Sequence, residues 1–122
     1  MQKDVNYYLK LGCDKKIAKY FAKGTRTIVS VVANDDYTLT LTFDNGEVRI
    51  YDAKHLFTNN SVFNKIRNRS DFKRVYLDDS HCVSWDIDPN IDSNIVWNNK
   101  LDLCPDSCYI DSIPLDAWKE AI

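Results

Sequence analysis

The stretch YTLTLTFDNGEVRIYD, from Tyr37 to Asp52, constrains the fold more than any other part of this 122-residue chain. Tyr37, Leu39, Leu41 and Phe43 alternate with threonines, the period-two pattern of a strand with one buried face. Asn45-Gly46 follows as a two-residue hairpin signal, because both residues tolerate the positive φ of a type I′ turn. The returning EVRIYD is expected to direct Val48 and Ile50 inward and Glu47, Arg49 and Tyr51 outward. Upstream, RTIVSVV is rich in β-branched residues and supplies a third strand, with NDDY as the intervening turn.

The period changes on both sides of this meander. DKKIAKYFAK, Asp14 to Lys23, reads as a short helix capped by Asp14 and stopped by Gly24, with Ile17, Ala18 and Phe21 at helical spacing. Ser61 can cap a second helix running to about Arg69, whose Val62, Phe63 and Ile66 would cover one face of the sheet. KRVYLDD and HCVSWD then read as two more strands joined around residues 78–80. Beyond Pro89 the pattern is irregular, with IPLDAWKEAI as a terminal helical turn. A hydrophobic content of 44% can build one core but not two comfortable ones at this length. The expectation is therefore a single α+β domain over residues 1–122, with an antiparallel meander sheet of about five strands covered by one or two short helices. Within it, residues 1–26 form a helical extension, 27–111 the core and 112–122 a tail.

The net charge of −2 gives no overall attraction to phosphate backbones. Cations are nevertheless concentrated: Lys15, Lys16, Lys19, Lys23 and Arg26 lie on or after the first helix, and Lys65, Arg67, Arg69, Lys73 and Arg74 on or after the second. Such faces are either solvated helix surfaces or binding patches. Trp85, Trp97, Tyr109, Phe43, Phe63 and Phe72 supply aromatic bulk for the core, while Trp118, beside charged residues near the end, is the tryptophan expected to stay exposed or to meet a partner. No apolar run matches a signal-peptide core or the roughly 18 residues of a membrane span. A cytoplasmic location and reduced thiols at Cys13, Cys82, Cys104 and Cys108 are the matching expectations.

Chemistry-bearing motifs are sparse. In DIDPNIDSN, oxygen-bearing side chains alternate at Asp86, Asp88, Asn90, Asp92 and Asn94, as they do in a calcium-binding EF-hand loop. Yet the position of the obligatory glycine is Ile91, that of the bidentate glutamate is Trp97, and the preceding VSW reads as a strand rather than a helix. Ordinary turn chemistry explains the same residues without an ion. CPDSC separates Cys104 and Cys108 by three residues where redox and zinc pairs use two, although Cys82 with His81 or His55 could complete a zinc site. His55 and His81 sit in no nucleophile motif, and Gly12, Gly24 and Gly46 are too scattered for a phosphate loop. No enzymatic activity and no cofactor are expected.

The order of pieces carries more information than any one of them. Phe43, Asp44, Gly46, Arg49 and Asp52 surround the hairpin; Phe63 and Phe72 flank the second helix; Trp85 follows. Leu101-Asp102-Leu103 then precedes Pro105, Asp106 and Tyr109. Over about Ile28 to Asp111 this order resembles the small bacterial domain of unknown function 2442. The resemblance implies a compact α+β domain without established enzymatic activity, sometimes joined to a DNA-binding helix-turn-helix domain, and often encoded beside a second small protein in toxin–antitoxin-like pairs. The helical piece before Thr27 is additional to that pattern, and residues 86–98 look like an insertion. With no helix-turn-helix after Ile122, a DNA role would fall to the basic helices. The resulting expectation is a regulatory module that binds a protein partner through Lys15, Lys16, Lys19, Lys23, Arg26 and Trp118. Nucleic-acid binding through the basic helices and metal binding by Asp86, Asp88, Asn90 and Asp92 are the alternatives.

Overall fold

A computed structural model describes residues 26–121, together with Asn6, Lys10 and Gly12. The expected helix over 14–23 lies outside the described residues. Among the described residues, seven strands form two antiparallel sheets. The first holds β1 (Ile28–Ala33), β2 (Thr38–Phe43), β3 (Val48–Asp52) and β7 (Ile113–Pro114), in the order β1-β2-β3-β7. The second holds β4 (Tyr76–Leu77), β5 (Val83–Asp86) and β6 (Lys100–Leu103), in the order β4-β5-β6. Between them fall α1 (Arg69–Phe72), α2 (Pro105–Asp111) and several 3-10 turns, and α3 (Leu115–Ala121) follows β7. The chain is thus α+β, with the expected strands distributed over two sheets rather than one meander.

The hairpin after β2 corrects the expected register. Thr42 pairs with Val48 and Leu41 with Arg49, so the loop contains Asp44, Asn45 and Gly46 rather than two residues. Gly46 alone among them takes the left-handed conformation, at φ +87, and its N–H bonds the Phe43 carbonyl at 2.9 Å. This three-residue loop ends in a left-handed glycine, a standard alternative to the type I′ turn. One extra loop residue turns β3 over. Arg49 and Tyr51 therefore share the core face with Leu41 and Leu39, contrary to the outward placement expected from alternation. Tyr51 is buried, and Ile50 is buried on the opposite face.

The expected helix from Ser61 to Arg69 is also divided. Ser61 does cap a turn, accepting the Phe63 N–H at 3.2 Å, but that turn is a 3-10 helix over Val62–Ile66. Asn68 then adopts an extended backbone and accepts the Ser70 N–H at 2.8 Å, restarting the chain as α1. An Asn side chain that competes for backbone donors makes this break. The two pieces insert Ile66 and Phe72 between the sheets. Phe72 stacks on Trp85 with ring centroids 5.7 Å apart, and Trp85 Nε1 donates to the Phe72 carbonyl at 2.9 Å. Trp85 is fully buried, which its indole N–H tolerates only because that partner is present. The core continues through Leu39, Leu41, Phe43 and Val83.

His81, left-handed at φ 62 in the β4–β5 turn, ties the sheets together. Its Nδ1 lies 3.0 Å from the Ile28 carbonyl oxygen. That oxygen can only accept, so Nδ1 carries the proton.

Candidate functional site

Two polar networks hold the chain around β3 and β5. On the core face of the first sheet, Arg49 Nε donates to Ser112 Oγ at 2.8 Å and another guanidinium nitrogen to the Ser112 carbonyl at 2.7 Å. Tyr109 lies under the guanidinium and donates its hydroxyl to Glu47 at 2.6 Å. Burial and this bond both push the Tyr109 phenol up. The arrangement fastens α2 and the start of β7 to the hairpin. It explains Arg49 and Tyr109 as structural residues.

The second network builds a groove. Asp78 Oδ1 accepts the Ser80 and Cys82 N–H groups at 2.9 and 3.0 Å, and Oδ2 accepts from Lys100 Nζ at 2.8 Å. Burial alone would raise the Asp78 carboxyl, but these bonds hold it below the usual carboxylate range. Asp86 accepts hydroxyls from Tyr76 at 2.7 Å and Ser93 at 2.6 Å. Between β4, β5 and the loop after Asp86 lies a groove of about 570 Å³, whose walls include Asp78, Asp79, Asp86, Asp92, Ile91 and Lys100.

The loop over 86–98 owes its shape to Asn99, which is 5% exposed. Its Nδ2 donates to the carbonyls of Asp88 and Ile91 at 3.0 and 3.1 Å and to Ser93 Oγ at 3.0 Å, while Oδ1 accepts the Asp88 N–H at 2.9 Å. The carboxylates proposed as calcium ligands are directed to local turns: Asp88 accepts the Asn90 N–H and Asp92 the Asn94 N–H, each at 2.9 Å. Among the described residues, no three or more His, Cys, Asp or Glu side chains gather in a metal-holding group. The alternation that suggested a cation loop is thus organised here as successive Asx turns around one buried amide.

Beside exposed polar residues such as Asn90, Asp92 and Asn94, the loop exposes large apolar side chains. Ile91 is 39% exposed, Val96 41%, Ile95 79% and Trp97 83%. Trp118, the tryptophan expected to stay exposed or to meet a partner, is partly buried on α3, and Trp97 is the more exposed of the two. Sequence reasoning assigned Trp97 to the core on bulk alone. The available signal was its position inside a segment without strand or helix periodicity, where no core face exists to receive it.

The other candidates separate. Lys15, Lys16, Lys19 and Lys23 lie outside the described residues, and Arg26 is partly buried. In the second basic group, Lys73 pairs with Asp35 at 2.5 Å and Arg74 with Asp71 at 2.6 Å. Cys82, Cys104 and Cys108 are free thiols, and burial pushes the Cys108 thiol up. His55 Nε2 meets the Tyr51 hydroxyl at 3.1 Å, so this ring, like His81, is engaged in packing. Among the described residues no helix is long and apolar enough to cross a membrane.

No curated protein and no solved structure matches the chain. A sequence profile of the family described as "Protein of unknown function (DUF2442)" matches residues 28–110, from the first strand to the helix that carries Tyr109. With more than half its length covered, including the hairpin, the Trp85 strand and the Arg49–Tyr109 network, the chain belongs to the DUF2442 family.

Proposed function

We propose that this domain is a non-enzymatic protein-binding module whose docking surface is the apolar tip of the 86–98 loop. The observation that carries the reading is the exposure of Trp97 at 83% beside Ile95 at 79%. Large apolar side chains exposed at consecutive positions are a feature of interaction sites, and tryptophan is among the residues that dominate interface energetics. Asn99 holds the loop in one shape before any partner arrives, which lowers the ordering cost of association. Two members of the second basic group are already paired with carboxylates, which favours a protein partner over nucleic acid. The resemblance to proteins encoded in toxin–antitoxin-like pairs supports a regulatory role in the cytoplasm of a bacterium.

The test compares wild-type protein with Trp97→Ser and Ile95→Ser. A protein retained stoichiometrically at high salt by the wild type, and lost from both variants while their unfolding curves stay unchanged, is the expected result. A partner retained equally by both variants would overturn the assignment of this surface.

A further inference from the structure

We propose that the docking partner is a basic as well as apolar segment of another protein. It would lay aliphatic or aromatic side chains on Ile91, Ile95, Val96 and Trp97 and direct lysine or arginine into the groove alongside. This inference rests on the binding-module reading above and adds the chemistry of the partner. Asp92 and Asn94 line the groove, and the N–H groups of Ile95 and Val96 both bond the Asp92 carbonyl, at 3.0 and 2.9 Å, so the apolar tip is anchored beside the groove. Asp78, Asp79, Asp86 and Asp92 line that groove with one cation, Lys100, giving a formal charge of −3 from four carboxylates and one ammonium. Lys100 is bound to Asp78 at 2.8 Å and leaves the other carboxylates uncompensated by any cation among the groove's lining residues. Asp79 and Asp92 are exposed to an incoming group.

Charge complementarity therefore selects the occupant. A basic segment gains attraction from the groove while its apolar side chains cover the tip, whereas an acidic segment of equal hydrophobicity is repelled. A second copy docking through the same surface would set one acidic groove against another in a two-fold arrangement. An anionic lipid surface meets the same repulsion.

The probes are two synthetic peptides with one aliphatic and aromatic pattern, carrying lysine or glutamate at every polar position, titrated against the intact protein by calorimetry. The lysine peptide is expected to bind at least tenfold more tightly than the glutamate peptide. Asp79→Asn with Asp92→Asn, and separately Trp97→Ser, should each weaken it about tenfold. Asp116→Asn with Glu120→Gln, which removes two exposed charges on α3, should leave it unchanged.

Equal binding of the two peptides, or no binding of either, overturns the charge selection; if Trp97→Ser still loses the cellular partner, the module reading survives that failure. Lysine-peptide binding that is indifferent to Trp97→Ser overturns the proposal and counts against the docking surface itself. Equal weakening by the α3 control pair shows diffuse attraction and overturns the proposal. Self-association abolished by Trp97→Ser, or binding to phosphatidylcholine–phosphatidylserine vesicles abolished by it, reassigns the surface to a second copy or a membrane.

Discussion

The guanidinium carbon of Arg49 lies 4.3 Å from the centroid of the Tyr109 ring, joining the middle of β3 to the helix that follows β6. Arg49 is only 11% exposed along its side chain and is satisfied by Ser112 and Glu47 in addition to the ring. Arg49→Ala removes a charged donor set and leaves the Ser112 carbonyl without it, so a loss of about 2 kcal/mol is expected. Arg49→Lys should recover only part of it, because an ammonium cannot both fork to Ser112 and lie flat on the ring. Urea unfolding of the two variants measures the difference.

Gly46 tests the hairpin. A side chain there would meet nothing within 4 Å, so the penalty of substitution is conformational rather than steric packing. Gly46→Ala, forced to φ +87, should destabilise the domain by about 1 kcal/mol, and Gly46→Asn by less. Equal stability of the alanine variant in thermal unfolding would contradict this conformational penalty.

Asn99 tests the loop. Asn99→Ala removes the donor shared by the Asp88 and Ile91 carbonyls and Ser93, and should cost about 2 kcal/mol. The effect should also be local, with new protease cleavage sites between 88 and 97 under conditions where the wild type is resistant. Cleavage spread evenly over the chain would instead indicate global unfolding.

Asp78 sets a pH dependence. Its carboxyl is held below the ordinary value by Lys100 and two backbone N–H groups, against the opposing effect of burial. A group depressed in the folded state stabilises it above the unfolded value, near pH 4, and that contribution disappears as the pH falls through the lower folded value. Asp78→Asn should therefore lower stability at pH 7 and flatten the loss of stability between about pH 5 and pH 2. Parallel acid-unfolding curves for variant and wild type would contradict this.

Much of the strand content is legible in local pattern. The Leu39–Leu41–Phe43 alternation and the β-branched run at Ile28 become strands of the first sheet, and VSW a strand of the second, because local composition and period match strand geometry. The two missed strands, β6 and β7, are short segments whose pairing partners lie far away in the chain. KLDL becomes a strand by lying against Val83–Asp86, and Ile113–Pro114 by meeting Arg49 and Ile50.

By itself, the sequence determined the segments of the first five strands, the hairpin position, the Ser61 cap and the family pattern from Phe43 to Tyr109. Only the tertiary structure decided that β3 presents Arg49 and Tyr51 to the core, that the strands divide into two sheets, and that Trp97 rather than Trp118 faces outward. Local periodicity is set by bonds between near neighbours in the chain. Which face is buried depends on a register that one extra loop residue reverses, and on side chains brought together from distant segments.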